Sequence, residues 1–170
     1  MPTQLLPPSS ALTRAAEVQA HRRLSPALLN HSYRTFAFGA ALGALENLMF
    51  DRELLFAAAL LHDVGLPTAV RQVDFTLGSA RVARDVAEDV GLSSAATETI
   101  RSAITLHYSP NVTLAAGPVA YLLSAGFKRE FSAAFRREAA RVPHGARGSC
   151  AATGRSTSRS SSPRSRADPP

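Results

Sequence analysis

The chain has 170 residues, of which 45% are hydrophobic and 19% charged, which is typical of one domain with a sizeable core and a tail. Its single cysteine, Cys150, excludes both a disulfide-stapled scaffold and a zinc module built on cysteines. The net charge of +6 divides into −1 over residues 1–126 (nine basic, ten acidic) and +7 over residues 127–170 (ten basic, three acidic), so we expect no nucleic-acid partner for the folded part.

The N-terminal sequence MPTQLLPPSS lacks a basic start followed by an apolar run, which argues against a secretory signal. Residues 102–127 contain no Asp, Glu, Lys or Arg, but His107, Pro110 and Gly117-Pro118 make this stretch too polar and too broken to cross a bilayer. We therefore expect a cytoplasmic protein without membrane contact.

Helices separated by short breaks are predicted from residue 25 onward. The first begins at Ser25-Pro26, where a capping hydroxyl precedes a proline, and continues through ALLNHSYRTFAFGAALGALEN. The second follows Asp51 through DRELLFAAALLHDVG and ends at Gly65. Its middle is apolar on all sides, which predicts a buried helix.

Further helices are predicted over 79–90, where valines recur every four residues, and from Ser93 or Ser94, as the capping residue, to about residue 107. Two more candidates cover 118–125 and 128–141, on either side of Gly126. No segment alternates apolar and polar residues between turn residues, so we expect an all-α domain.

The C-terminal segment 145–170, GARGSCAATGRSTSRSSSPRSRADPP, has almost no large apolar side chain. Such a basic Ser/Arg/Pro-rich segment cannot bury enough surface to offset its ordering entropy, and we predict a disordered tail. Contact of this tail with RNA or an acidic surface is supported by its charge alone.

Two histidines and an aspartate have the residue types of a metal site. His62 and Asp63 stand side by side at the end of an apolar helix, where buried polar groups need partners. His31 lies on the preceding predicted helix, and antiparallel packing of the two helices could bring it towards this end. Two imidazoles and a carboxylate suit a divalent transition metal with open positions. The alternative is a set of hydrogen-bonded structural histidines.

The order H-S-Y-R-T, about thirty residues, then L-L-H-D-V-G-L resembles the HD superfamily of metal-dependent hydrolases, and within it the cyanamide hydratase-like branch. The likeness extends over roughly 4–145 through LLPPSS, DFTLGSARVARDV, AITLHYSP, GPVAYLLSAG and GFKREF. It implies an HD-type all-α helical bundle over 1–144 with the metal in its core, ahead of the tail at 145–170.

The resemblance also implies roles for individual residues. His31, His62 and Asp63 would be ligands of a divalent metal, zinc or iron before manganese. His107, in the pattern I-x-L-H, would line the pocket and orient substrate or handle a proton, with Asp63 as the other catalytic group. The alternative for His107 is a hydrogen-bonded histidine at a helix end. For Arg34, an ion pair behind the ligands is the favoured role.

One part of the family pattern is missing. HD proteins supply a final aspartate ligand from a later helix, but here the segment ending at Gly126 runs directly into GFKREF. We infer that an internal segment is absent and that the domain is incomplete after about residue 126. Glu130 is an acidic candidate for the missing ligand, yet its Lys/Arg-rich neighbourhood favours a solvated charge. Apolar faces exposed at the junction would favour a homo-oligomer.

These features favour a metal-dependent hydrolase or hydratase that uses metal-activated water on a small substrate such as cyanamide or another nitrile. His107 or Asp63 would relay a proton to the developing imine nitrogen. One alternative is an HD phosphohydrolase. A phosphate substrate needs positive charge around it, and the part of the chain expected to form the pocket offers few basic residues apart from Arg34, Arg71 and Arg101, which argues against this activity. Another is a degenerate HD domain without catalysis, because the last aspartate is missing.

Overall fold

A computed structural model describes residues 6–68 and 74–141 of the chain. The predicted tail at 145–170 and the predicted domain boundary before it lie outside the described residues. The described ranges contain six α-helices and no strand, which confirms the all-α prediction: α1 Ala11–Arg23, α2 Pro26–Leu45, α3 Arg52–Leu61, α4 Phe75–Asp89, α5 Ser94–Leu106 and α6 Pro118–Arg141. None of these helices combines the length and the apolar character that a bilayer crossing requires.

The predicted caps of α2, α3 and α5 are confirmed. Ser25, Asp51 and Ser93 each accept hydrogen bonds from backbone N–H groups of the following first turn. Helix α4 begins four residues earlier than predicted, because its cap is Asp74. Ser79, where the helix was expected to begin, is buried and accepts a hydrogen bond from the backbone N–H of Gly65.

Helix α1 was absent from the predicted helices, although the sequence contains its start signal. The backbone N–H of Thr13 donates to Ser10 Oγ, and the N–H of Ser10 donates to Thr13 Oγ1, which forms a capping box. The buried face of α1 is narrow and built mainly from alanine, with Leu12, Ala16 and Ala20 four residues apart. This weak apolar pattern explains why the helix was missed.

Helix α3 is the central helix of the bundle and packs against α1, α2, α4, α5 and α6. Every side chain from Leu54 to Leu61 is buried. Burying one such leucine or phenylalanine side chain stabilises the fold by about 1.5–3 kcal/mol. Because α3 ends inside the bundle, the two residues that follow it, His62 and Asp63, are also buried.

Helix α6 runs without a break through Gly126, so the prediction of two separate helices at 118–125 and 128–141 is wrong. A Cβ at Gly126 would lie 2.3 Å from the carbonyl oxygen of Thr35, and a Cβ at Gly39 would lie 2.7 Å from that of Leu122. The two glycines therefore allow the backbones of α2 and α6 to approach closely. This packing offsets the helix penalty of about 1 kcal/mol that glycine carries.

Gly126→Ala is expected to destabilise the protein by about 1–3 kcal/mol, although alanine is the better helix former, because the clash is with backbone that cannot move aside. Gly78→Ala in α4 is the matched control, since its Cβ would meet nothing closer than Gly65 Cα at 3.6 Å. We expect it to stabilise by about 0.5–1 kcal/mol. Urea denaturation measures both; equal stability of Gly126→Ala and wild type would contradict the close helix contact.

Candidate metal centre

Two helices bring the predicted ligands together in the core. His31 comes from α2, and His62 and Asp63 follow the last turn of α3. The Nε2 atoms of His31 and His62 lie 3.2 Å apart. Asp63 Oδ2 lies 3.6 Å from His31 Nε2 and 3.3 Å from His62 Nε2. Within the described part of the chain, the ligand atoms of these three residues form the group that could hold a metal ion.

Hydrogen bonds at the opposite ring nitrogens leave the Nε2 lone pairs free. His62 Nδ1 donates to the carbonyl of Ala59 at 2.7 Å, and a carbonyl can only accept. Burial, with a smaller contribution from His31, lowers the pKa of His62 to about 3, so its ring is neutral at pH 7. His31 Nδ1 donates to Glu130 Oε2, also at 2.7 Å. Each Nε2 therefore presents a lone pair to the other.

The three atoms fit a divalent metal ion. Two imidazole lone pairs and a carboxylate oxygen repel one another unless a cation lies among them. A single proton can bridge only two of these three atoms, whereas a metal ion can bind all three. Ligand atoms about 2.1 Å from a metal lie about 3–3.5 Å apart, close to the separations of 3.2, 3.3 and 3.6 Å in this triangle. The two-nitrogen, one-oxygen donor set suits zinc, iron and manganese.

Asp63 is 4% exposed, and its second oxygen faces α5. Burial raises the pKa of Asp63, an effect that His107 and His31 offset in part. A carboxylate in this position stays ionised most readily when a cation neutralises it. The burial of Asp63 thus agrees with the metal site that the triangle of ligand atoms indicates.

His107 follows the last turn of α5 and completes the cluster. Its Nδ1 donates to the carbonyl of Ile104 at 2.6 Å, the same helix-end arrangement as in His62. Its Nε2 is buried, has no hydrogen-bond partner among the described residues, and lies 3.9 Å from Asp63 Oδ1, too far for a hydrogen bond. Burial, followed by the influence of His62, lowers the pKa of His107 to about 4. His107 therefore presents a free acceptor to the cluster.

A family model described as HD domain matches residues 28–117, which are 90 of the 170 residues of the chain. The chain belongs to the HD-domain family. The match includes His31, His62, Asp63 and His107. HD domains bind divalent metals and act on small substrates, and membership of this family indicates a metal-dependent hydrolase. No curated protein matches the chain.

Glu130 lies beyond the region matched by the HD-domain model, yet it contacts the site. The prediction of a solvated charge for Glu130 is wrong: the residue is 3% exposed, and Arg34 Nε donates to its Oε1 at 2.7 Å. This contact confirms the expected ion pair of Arg34. Burial alone would raise the pKa of Glu130, but hydrogen bonds from His31 and Arg34 outweigh it and lower that pKa. Glu130 is therefore an ionised carboxylate behind His31.

Phe127 is a further site residue that the sequence analysis missed. Its ring packs edge-on against three imidazoles, with centroid distances of 5.6 Å to His31, 6.0 Å to His62 and 5.1 Å to His107. No spacing signal in the sequence marks Phe127, because the contact forms only when α6 packs across the ends of α3 and α5.

A pocket of about 340 Å³ opens beside the ligand atoms of the HD domain. His31 and Asp63 are its polar lining residues, and the remaining lining is aliphatic or aromatic: Leu28, Leu66, Phe75, Tyr108 and Phe127. His62 and His107 are fully buried and are not among these lining residues. A substrate in this pocket would lie against His31 and Asp63 on one side and apolar side chains on the others.

Proposed function

We propose that this HD domain hydrates or hydrolyses a small uncharged substrate of the cyanamide or nitrile type, with His31, His62 and Asp63 holding a divalent metal. The observation that carries the proposal is the apolar pocket that opens onto His31 and Asp63. Such a pocket desolvates a small neutral molecule and holds it beside the metal position.

The metal, when bound, lowers the pKa of a coordinated water towards about 7. The protein's own residues orient the reactants and move the proton. His62 and His31 keep their Nε2 atoms unprotonated through the bonds at Nδ1. His107, neutral and with a free Nε2, accepts a proton from the attacking water and returns it to the substrate nitrogen. Addition of water across the carbon–nitrogen triple bond gives an amide, which is urea when the substrate is cyanamide.

Charge in the pocket favours a neutral substrate over a phosphoester, the other activity considered for this family. A phosphoryl group needs positive side chains or metal ions to neutralise its charge. Arg34 is engaged by Glu130, and Arg101 pairs with Glu98 on α5. The ionisable side chains of the described lining are His31 and Asp63, neither of which supplies a permanent positive charge. Arg71 lies outside the described residues.

We infer further that the chain belongs with the cyanamide hydratase-like branch and lacks an internal segment after Gly126. The family block GFKREF, and all of GPVAYLLSAG except Gly117, lie within the single helix α6, which supports this inference. The loss of the final aspartate does not by itself remove catalysis, because three protein ligands with an open position are the usual arrangement in catalytic zinc sites.

Metal analysis and a paired substrate assay test the proposal. The 170-residue chain is dialysed against metal-free buffer, its metal content is measured by plasma mass spectrometry, and cyanamide and p-nitrophenyl phosphate are assayed side by side. We expect about one metal ion per chain, as a single three-ligand group indicates, together with release of urea and no release of phosphate. Phosphate release without urea would identify a phosphohydrolase. Folded protein that retains no metal would instead support a degenerate HD domain.

A further inference from the structure

We infer that Glu130 is a positioning residue of the metal centre: it determines which nitrogen of His31 carries the proton, and Arg34 orients Glu130 in turn. The inference rests on the proposed function in one respect, namely that His31 is a metal ligand. The notion that Glu130 replaces the missing aspartate is not needed, because its oxygens already accept hydrogen bonds from His31 and Arg34.

The geometry of the three side chains leaves one arrangement of protons. His31 Nδ1 lies 2.7 Å from Glu130 Oε2, and Arg34 Nε lies 2.7 Å from Oε1, both short charge-assisted hydrogen bonds. An ionised carboxylate accepts only, so Nδ1 of His31 carries the proton and its Nε2 presents a lone pair to His62. A carboxylate behind a ligating histidine also raises the basicity of that ligand.

The fold holds Glu130 in place through its neighbours on α6. Gly126 lets the helix approach α2 closely, and Phe127 packs against the imidazoles. Lys128 Nζ donates to the carbonyls of Ser109 and Pro110, at 3.0 and 2.9 Å, and so ties α6 to the loop after α5. These contacts place the segment at the site although it lies outside the region matched by the HD-domain model.

Glu130→Gln tests the inference with a side chain of the same shape. The Arg34 guanidinium can only donate, so it attracts the amide oxygen of the new side chain and leaves the amide NH₂ facing His31. Nδ1 of His31 must then accept, and its proton moves to Nε2, where it blocks metal binding. Because the Arg34 side chain is 44% exposed, water can solvate the charge that Glu130 no longer neutralises.

Co²⁺ affinity of the 170-residue chain, measured by competition with a chelator, is the first readout. We expect Glu130→Gln to weaken Co²⁺ binding by about 10–100-fold. Adding Arg34→Met frees the amide to turn its oxygen towards His31, so the double variant should recover most of the affinity. Glu98→Gln, on an exposed glutamate of α5, is the matched control and should change nothing.

Long-range ¹⁵N–¹H correlation spectra of the metal-free proteins give a second readout that needs no metal. Wild type and the double variant should show His31 protonated at Nδ1, and Glu130→Gln should show it protonated at Nε2. Unchanged Co²⁺ affinity together with an unchanged His31 tautomer in Glu130→Gln would overturn the inference. A tautomer switch in a protein whose wild type binds no Co²⁺ would support the positioning role and refute the proposed metal function.

A second pair of variants serves if Glu130→Gln alone does not fold. Glu130→Leu in the Arg34→Met background removes the acceptor together with the Arg34 charge that pairs with it. We expect Co²⁺ binding about 10–100-fold weaker than in Arg34→Met alone. Equal affinity of these two proteins would overturn the inference.

Discussion

Asp63→Asn is expected to abolish stoichiometric metal binding while the metal-free protein stays folded. Asp63 Oδ2 lies within 3.6 Å of both Nε2 atoms and supplies the negative charge of the ligand group. Structural zinc sites with four ligands bind Zn²⁺ with a free energy of about 10–16 kcal/mol, which is about 3 kcal/mol for each ligand. Losing one ligand should therefore weaken the metal affinity about 100–1000-fold. Metal content after dialysis measures the effect.

Asp63→Asn should also raise the free energy of unfolding of the metal-free protein relative to wild type, and this difference should grow as the pH rises. Burial raises the pKa of Asp63 above its ordinary value of 3.8. A raised pKa means that the folded state holds its proton more tightly than the unfolded state, so this contribution to stability is lost as pH rises through the folded pKa. The free energy of unfolding of Asp63→Asn should therefore exceed that of wild type most clearly at neutral pH.

Asp85→Asn is the matched control, because the side chain of Asp85 is 63% exposed on α4 and pairs with Arg84. It should leave both metal content and the pH dependence of urea unfolding unchanged. Equimolar metal in dialysed Asp63→Asn would show that Asp63 is not a ligand.

His107→Gln is expected to lower kcat for cyanamide by about 100–10,000-fold, the usual contribution of a general acid–base group. The metal content should remain that of wild type, since His107 lies outside the group of three ligand atoms. Glutamine cannot accept a proton at neutral pH, whereas His107 presents an unprotonated and unpaired Nε2. Steady-state kinetics and metal analysis on the same preparation measure the two effects.

His21→Gln provides the control for His107→Gln, because His21 is exposed on α1. The low pKa of His107, about 4 through burial, keeps this ring unprotonated between pH 6 and 8. Its capacity to accept a proton should therefore be constant over that range and decline only on acidification towards pH 4. Loss of metal together with activity in His107→Gln would identify His107 as a ligand. An unchanged kcat in His107→Gln would exclude a role in proton transfer.

The sequence by itself determined the helices and the ligand candidates whose signals are local. Ser25, Asp51 and Ser93 cap helices through hydrogen bonds within one turn, so each cap could be recognised from neighbouring residues. His62 and Asp63 were predicted to need partners because they end a helix that is apolar on all sides. Antiparallel packing of this helix against its neighbour was sufficient to suggest His31 as the third member.

Only the tertiary structure decided the role of α6. Gly126 looked like a helix break, but close packing against α2 requires a residue without a side chain there, and the helix continues. Glu130, beside Lys128 and Arg129, looked like a solvated charge. It is buried against His31, 99 residues earlier in the chain. Local composition shows which residues a helix carries, whereas the packing of distant helices selects which of its faces meets the site.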